Sequence, residues 1–179
     1  MSDRSAELAA EIVGPLARRN STATVLFHHA VAERLGLGPS DHKCLDLVRE
    51  RGPLTAAELA ALTGLSTGAI TGVVGRLERA GFLRREPDPH DGRKQILSMT
   101  AEADDRLGSV FAGLTERTYE LLDGFDEDQL ATVAEFLRRA TDFAHRRTAL
   151  LRAQTLVDGP RRPHPAGRTA SAPIREDPP

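Results

Sequence analysis

The 179-residue chain has no tryptophan, one tyrosine and six phenylalanines, so aromatic side chains make up only 4% of it. A core must then be assembled from Leu, Ile, Val and Ala, which favours helices over a sheet sandwich. A single cysteine, Cys44, excludes an intrachain disulfide framework and fits a reducing compartment. No uncharged apolar run approaches the ~18 residues of a membrane-spanning helix. Met1 to Ala10 carries Asp3, Arg4 and Glu7 and has no apolar stretch of signal-peptide length. These absences predict a cytoplasmic protein without membrane contact. Net charge is also small, −2 overall. A partner of nucleic acid needs a basic face rather than a basic whole, so charge has to be read locally.

What is present is helical periodicity with clear punctuation. Ala6 to Leu35 reads as helix, with Leu8, Ile12, Leu16, Leu26, Ala30 and Val31 as apolar positions and a kink or split at Gly14-Pro15. Gly36 and Gly38 end it, and Ser40 is the expected N-cap of a helix through Arg51 that turns Cys44, Leu45 and Val48 inward. Thr55-Ala-Ala-Glu58 is a capping box opening a short helix to Thr63. Ser66 caps the next helix, which runs to Ala80 with Ile70, Val73, Val74 and Leu77 on one side, and Gly81 ends it in a left-handed conformation.

The period then changes. Phe82–Glu86 and Gln95–Met99 predict two short strands around Pro87–Lys94, a hairpin with an exposed tip. Thr100 caps a long helix to about Leu122. Asp126-Glu-Asp-Gln129 opens a final helix to about Leu151, where Arg146, Arg147 and Arg152 suit the negative end of the dipole. Six of the eleven prolines fall after Asp158, which predicts a disordered tail. The expected fold is mainly α with a small β-hairpin wing: N-terminal helices over residues 1–54, a winged helix-turn-helix over 55–99, C-terminal helices over 100–157 and the tail over 158–179.

Residues 55–99 carry the chemistry. The helix from Ser66 begins Ser-Thr-Gly-Ala-Ile-Thr-Gly, and small residues let a helix sink into the major groove of DNA. Ser66, Thr67 and Thr71 offer hydroxyls to bases or phosphates, and the helix N-terminus suits a phosphate. Arg76 lies about a turn and a half beyond Thr71. At the hairpin tip, Arg93 and Lys94 suit a narrow, negative minor groove, with Asp91 expected to hold the Arg93 side chain. From Ser66 to Lys94 there are six basic and four acidic residues, a surplus of +2, leaving −4 for the remainder. An acidic body with a more basic head is the pattern of a specific DNA binder.

Residues 66–100 resemble the recognition helix and wing of the MarR family of regulators. The resemblance rests on the Gly-Ala-Ile-Thr run, Arg76-Leu77-Glu78, Ala80-Gly81-Phe82, the D-x-x-D-x-R of Asp88, Asp91 and Arg93, and Thr100. It extends from roughly residue 20 to 150 and leaves out the tail. It implies a homodimer paired through the first and last two helices, bound to a palindromic operator on double-stranded DNA, more often as a repressor. It also implies a pocket for a small-molecule effector, aromatic or anionic, beneath the reading head. The candidate DNA-contacting residues are Thr55, Ser66, Thr67, Gly68, Thr71, Gly72, Arg76, Asp91, Arg93 and Lys94. The candidate pocket residues are His28, His29, His42 and Leu45.

Other chemistries fit less well. Gly64-Leu-Ser-Thr-Gly68 matches the hydrolase nucleophile elbow, but that motif needs a preceding strand, and a helix precedes it here. No catalytic residue or cofactor is expected. Cys44 lies in the second helix and faces inward, as a small hydrophobe does. Some MarR-family members sense zinc through histidines in the helix after the wing, and none occurs between Thr100 and Leu122. His28 and His29, being adjacent, point about 100° apart on a helix. No metal is therefore assigned. Members that sense purine-like acids carry a Trp in the first helix, absent here. The alternative in a different class is a winged-helix module that binds protein instead of DNA.

Overall fold

The computed structural model describes residues 2–112 and 114–158, with only the backbone described for 114, 115, 156 and 158. The predicted tail lies outside the described residues apart from Asp158. The chain divides into two compact units, Met1–Asp123 and Gly124–Pro179.

The first unit opens with α1 (Asp3–Glu11), capped by Ser2, which accepts from the Ser5 amide. A π-helical turn, Ile12–Leu16, follows and leads into α2 (Ala17–Leu35). Pro15 has no N–H to give, and the wider turn lets the chain stay helical past it, with the Ala17 amide reaching the Ile12 carbonyl. The expected break is thus a bulge between two helices. Gly36 ends α2 at φ +69°, where an L side chain is strained.

Helix α3 (Pro39–Arg51) is capped by Gly38, which corrects the expectation of Ser40. Pro39 occupies the first helical position, where its fixed φ and missing N–H cost nothing, so the helix starts earlier. Then come β1 (Leu54–Thr55), α4 (Ala56–Thr63), α5 (Thr67–Arg79), β2 (Leu83–Pro87) and β3 (Gln95–Met99). The sheet order is β1-β3-β2, antiparallel, with Leu54 opposite Leu97 and Arg85 opposite Leu97 on the other side. The two-residue β1 was not expected, because such a segment shows no alternation of its own. Thr55 ends it and also caps α4: its hydroxyl accepts from the Glu58 amide at 3.2 Å, and the Glu58 carboxylate accepts from the Thr55 amide at 2.8 Å.

These elements share one aliphatic core. Cys44, Leu45 and Val48 from α3 meet Leu59 from α4 and Ile70, Val73, Val74 and Leu77 from α5, with Phe82, just before β2, and Leu97 from β3 closing it. Phe82 is fully buried, and the Arg106 guanidinium sits 3.9 Å above its ring.

Thr100 caps α6 (Ala101–Phe111), accepting from the Ala103 amide. The continuous helix expected to Leu122 is interrupted: Ala112 leaves helical geometry with ψ 129°, and α7 (Leu114–Glu120) is a separate segment. The sequence places Gly113, a poor helix former, at this junction. In the second unit, α8 (Glu127–Asp158) starts with the expected reciprocal cap between Asp126 and Gln129. It continues past Leu151, so Arg146, Arg147 and Arg152 are not in its last turn, contrary to the expected dipole pairing. No single described helix is long and apolar enough to cross a membrane.

Thr55→Ala removes the hydroxyl that caps α4 and is expected to cost about 0.5–2 kcal/mol of stability, measured by chemical denaturation. An unchanged midpoint would show the cap to be inert.

Candidate nucleic-acid interface

Helix α5 has two unlike sides. Ile70, Val73, Val74 and Leu77 are buried, while Ser66, Thr67, Gly68 and Thr71 are exposed. Ser66 is the N-cap, accepting from the Ala69 amide at 3.3 Å, and the Thr71 hydroxyl donates to the Thr67 carbonyl at 2.9 Å. A Cβ added at Gly68 would meet nothing within 4 Å, so the small residue there leaves open space along the outer side. The exposed start of the helix presents hydroxyls and amides with no bulky side chain in front of them, as a groove-entering helix requires.

Past its cap at Ala80, α5 is held by the expected left-handed Gly81 and by contacts from Thr100 and Arg106 that sequence reasoning missed. Gly81, at φ +75°, turns the chain so that the Phe82 amide reaches back to the Leu77 carbonyl. The Thr100 hydroxyl donates to the Gly81 carbonyl at 2.6 Å. Arg106 donates to the carbonyls of Ala80 at 2.9 Å and Leu35 at 3.3 Å, tying α6 to the ends of α5 and α2. Nothing in the local pattern around Arg106 distinguishes it from a solvated helix arginine.

Arg76 has a second role beside its place on the candidate list. Its guanidinium makes a two-pronged bond to Asp41, Nε to Oδ2 at 2.8 Å and Nη2 to Oδ1 at 2.7 Å. The Asp41 side chain is 7% exposed and the Arg76 side chain 50%. A fork of this kind fixes orientation as well as distance, so it sets the angle of α5 against α3. Asp41 lies in the first turn of α3, where a carboxylate also suits the helix dipole. The 35-residue separation hid this pair from the sequence.

The wing tip is built from carboxylates that hold backbone. Asp88 accepts from the amides of His90 at 2.8 Å and Asp91 at 3.3 Å. The His90 amide holds the Asp88 carboxyl below its usual range. Asp91 accepts from the Arg93 amide at 3.2 Å, and its other oxygen lies 3.7 Å from the Lys94 ammonium. This corrects the expectation that Asp91 grips the Arg93 guanidinium: a two-residue spacing in a tight turn brings the carboxylate to the amide first. Arg93 and Lys94 are both exposed. Thr55, the remaining candidate, lies at the start of α4 and its hydroxyl is engaged by Glu58.

Away from the head, α2 and α3 enclose a cavity of about 270 Å³ lined by Thr24, Val25, His28, His29, Pro39, His42 and Lys43. Three of the four candidate pocket residues line it. Leu45 does not, being fully buried in the core. Burial keeps the His42 imidazole below its ordinary range, with His28 and Lys43 adding to the effect and Asp46 opposing it. Burial, reinforced by Asp41, pushes the Cys44 thiol up to about 11, which keeps it protonated and unreactive at neutral pH, as the inward-facing reading implied.

A family model described as MarR family matches residues 35–94. The Bacillus subtilis protein named uncharacterized HTH-type transcriptional regulator YcgE is 42% identical over 127 residues, covering 71% of this chain and 82% of that protein. The chain belongs to the MarR family. The MarR-family fold extends to solved structures. Transcriptional regulator Tm0710 from Thermotoga maritima superposes with a TM-score of 0.55 at 22% identity, over 78% of this chain and 98% of that one. BpsR from Bordetella bronchiseptica, described by a mechanism for regulation of DNA binding by 6-hydroxynicotinic acid, gives 0.50 at 21% identity, over 74% and 95%. The protein is thus a helix-turn-helix transcriptional regulator and not an enzyme, and Gly64–Gly68 is the turn after α4 and the start of α5, with a helix and not a strand before Ser66, rather than a nucleophile elbow.

Two outcomes follow for this MarR-family head. Arg76→Ala and Asp41→Asn each lower the thermal midpoint, and the double variant falls by less than the sum of the two, because either change alone already breaks the fork. Strict additivity would contradict the pairing. Asp88 has a lowered pKa, so its hold on the wing is present above the unfolded Asp value of about 3.9 and lost as pH falls through the lower folded value. Protection of the His90 amide from hydrogen exchange, followed from neutral to acid pH and corrected for intrinsic rates, tests this.

Proposed function

We propose that the protein is a homodimeric repressor that binds a palindromic operator and releases it when a small molecule occupies the cavity between α2 and α3. The observation that carries the DNA reading is the pairing, in one compact unit, of a small-residue helix face with an exposed basic hairpin tip. Ser66, Thr67, Gly68, Thr71 and Gly72 lie along the major groove, and Arg93 enters the adjacent minor groove with Lys94 on the backbone. Arg76 serves first to position α5 through Asp41; its half-exposed edge reaches the backbone nearby.

Dimerisation is supported by apolar side chains left in water. In the first unit Val13 is 72% exposed, Leu26 62% and Leu121 74%; in the second, Phe143 is 61% exposed and Leu150 53%. Such surface toward both ends of a chain marks an interface. A two-fold partner would set two reading helices about one DNA turn apart. Ligand control is supported by the cavity and its three histidines, and by the BpsR precedent of DNA binding regulated by a small aromatic acid. A ligand that prefers the conformer with badly spaced heads shifts the population away from DNA.

Arg93→Ala is expected to weaken operator binding by about 1–3 kcal/mol without changing the thermal midpoint. Arg76→Ala lowers both. Wild-type affinity falls steeply with salt through counterion release. Unchanged affinity in Arg93→Ala removes the wing from the interface, and salt-independent partner binding favours a protein-interaction module instead.

A further inference from the structure

His28 from α2 and His42 from α3, which both line the cavity, converge on Asp46 of α3. One carboxylate oxygen, Asp46 Oδ2, lies 3.6 Å from His28 Nδ1 and 3.3 Å from His42 Nδ1. Donors bound tetrahedrally to zinc at about 2.0–2.1 Å sit about 3.3 Å apart, so both spacings are near that edge length with no metal in place. The donor atoms of the three residues all fall within 4.8 Å of one another. The two rings are edge-to-face, with centroids 5.4 Å apart.

The hydrogen bonding is incomplete in a way that points to a ligand. His28 Nδ1 and His42 Nε2 are both buried with no hydrogen-bond partner, and the His42 side chain is only 2% exposed. Buried polar atoms are nearly always satisfied, so the orphaned His28 Nδ1, which faces Asp46, asks for an occupant; His42 faces Asp46 through Nδ1, and its orphaned Nε2 lies on the other edge of the ring, out of reach of the same ion. The nearest cation is the Lys43 ammonium, 3.6 Å from the same Asp46 oxygen on a side chain that is 64% exposed and free to swing into solvent.

We propose that His28, His42 and Asp46 form a binding site for a divalent transition metal, zinc by preference. Two imidazoles and one carboxylate are a borderline donor set that suits zinc and disfavours calcium or magnesium, which take oxygen ligands. Three protein ligands leave a coordination position for water or an anion from the cavity. His29, one residue from His28, lines the same cavity but is not in the cluster. Sequence spacing argued against a metal because His28 and His29 diverge and no histidine follows the wing in the next helix; two of the three ligands come instead from α3, where the i, i+4 spacing of His42 and Asp46 puts them on one helical face.

The site stands apart from DNA binding, so it is tested without DNA. Untagged full-length protein, stripped with chelator, is titrated with cobalt(II) and the visible d–d absorption followed. The expected result is one cobalt per protomer, displaced by zinc. His28→Gln and Asp46→Asn, both at partly exposed positions, weaken binding at least roughly tenfold while circular dichroism and thermal midpoint stay near wild type; His29→Gln leaves binding unchanged. Cobalt binding equal in wild type and both variants, or lost only in His29→Gln, overturns the proposal. If one variant does not fold, the other decides. Metal binding with no operator binding would leave this site standing and remove the DNA reading; the reverse would do the opposite.

Discussion

Ile70, Val73, Val74 and Leu77 bind one side of α5 into the aliphatic core, and every other property of the reading head depends on that commitment. Truncating one such buried aliphatic costs roughly 2–5 kcal/mol for a leucine or isoleucine, so the helix has little freedom to rotate about its axis. Fixed rotation is what turns Ser66, Thr67, Gly68 and Thr71 outward as a set. The rest of the surroundings repeat the same constraint. The Asp41 fork sets the helix direction from α3, and Arg106, Thr100 and Phe82 fix where it ends.

Helix α3 is the shared element of the first unit. Asp41, which holds α5, and His42, which lines the cavity, are neighbours in its first turn. Its inner side gives Cys44, Leu45 and Val48 to the core. A change at the cavity wall and a change in the angle of α5 are therefore changes to the same short helix. The proposed control of DNA binding needs no longer route, and a bistable setting of α3 is what a ligand would have to prefer.

Much of this was legible in the sequence, for identifiable reasons. Caps at Thr55, Ser66, Thr100 and Asp126 depend on residues three apart and were read directly. The apolar side of α5 follows a helical period, and the hairpin follows its turn residues. The resemblance to the MarR family, carried by residues 66–100, agrees with the family match over 35–94. What escaped was tertiary. The Asp41–Arg76 ion pair and the Arg106 bond to the Leu35 carbonyl span 35 and 71 residues, and neither leaves a periodic trace. The strand β1 is too short to alternate, and the wing carboxylate chose a backbone amide over a guanidinium because turn geometry brought the amide closer. The histidines could be named but not placed, since His28 sits on α2 while His42 and their third partner, Asp46, sit on α3.

The central claim is that two such heads meet one duplex together. Selection of bound sequences from a random double-stranded pool at moderate ionic strength addresses it most directly. The account predicts enrichment of an inverted repeat whose half-sites are centred about 10–10.5 base pairs apart. Enrichment of a lone half-site, or of no sequence at all, would contradict it.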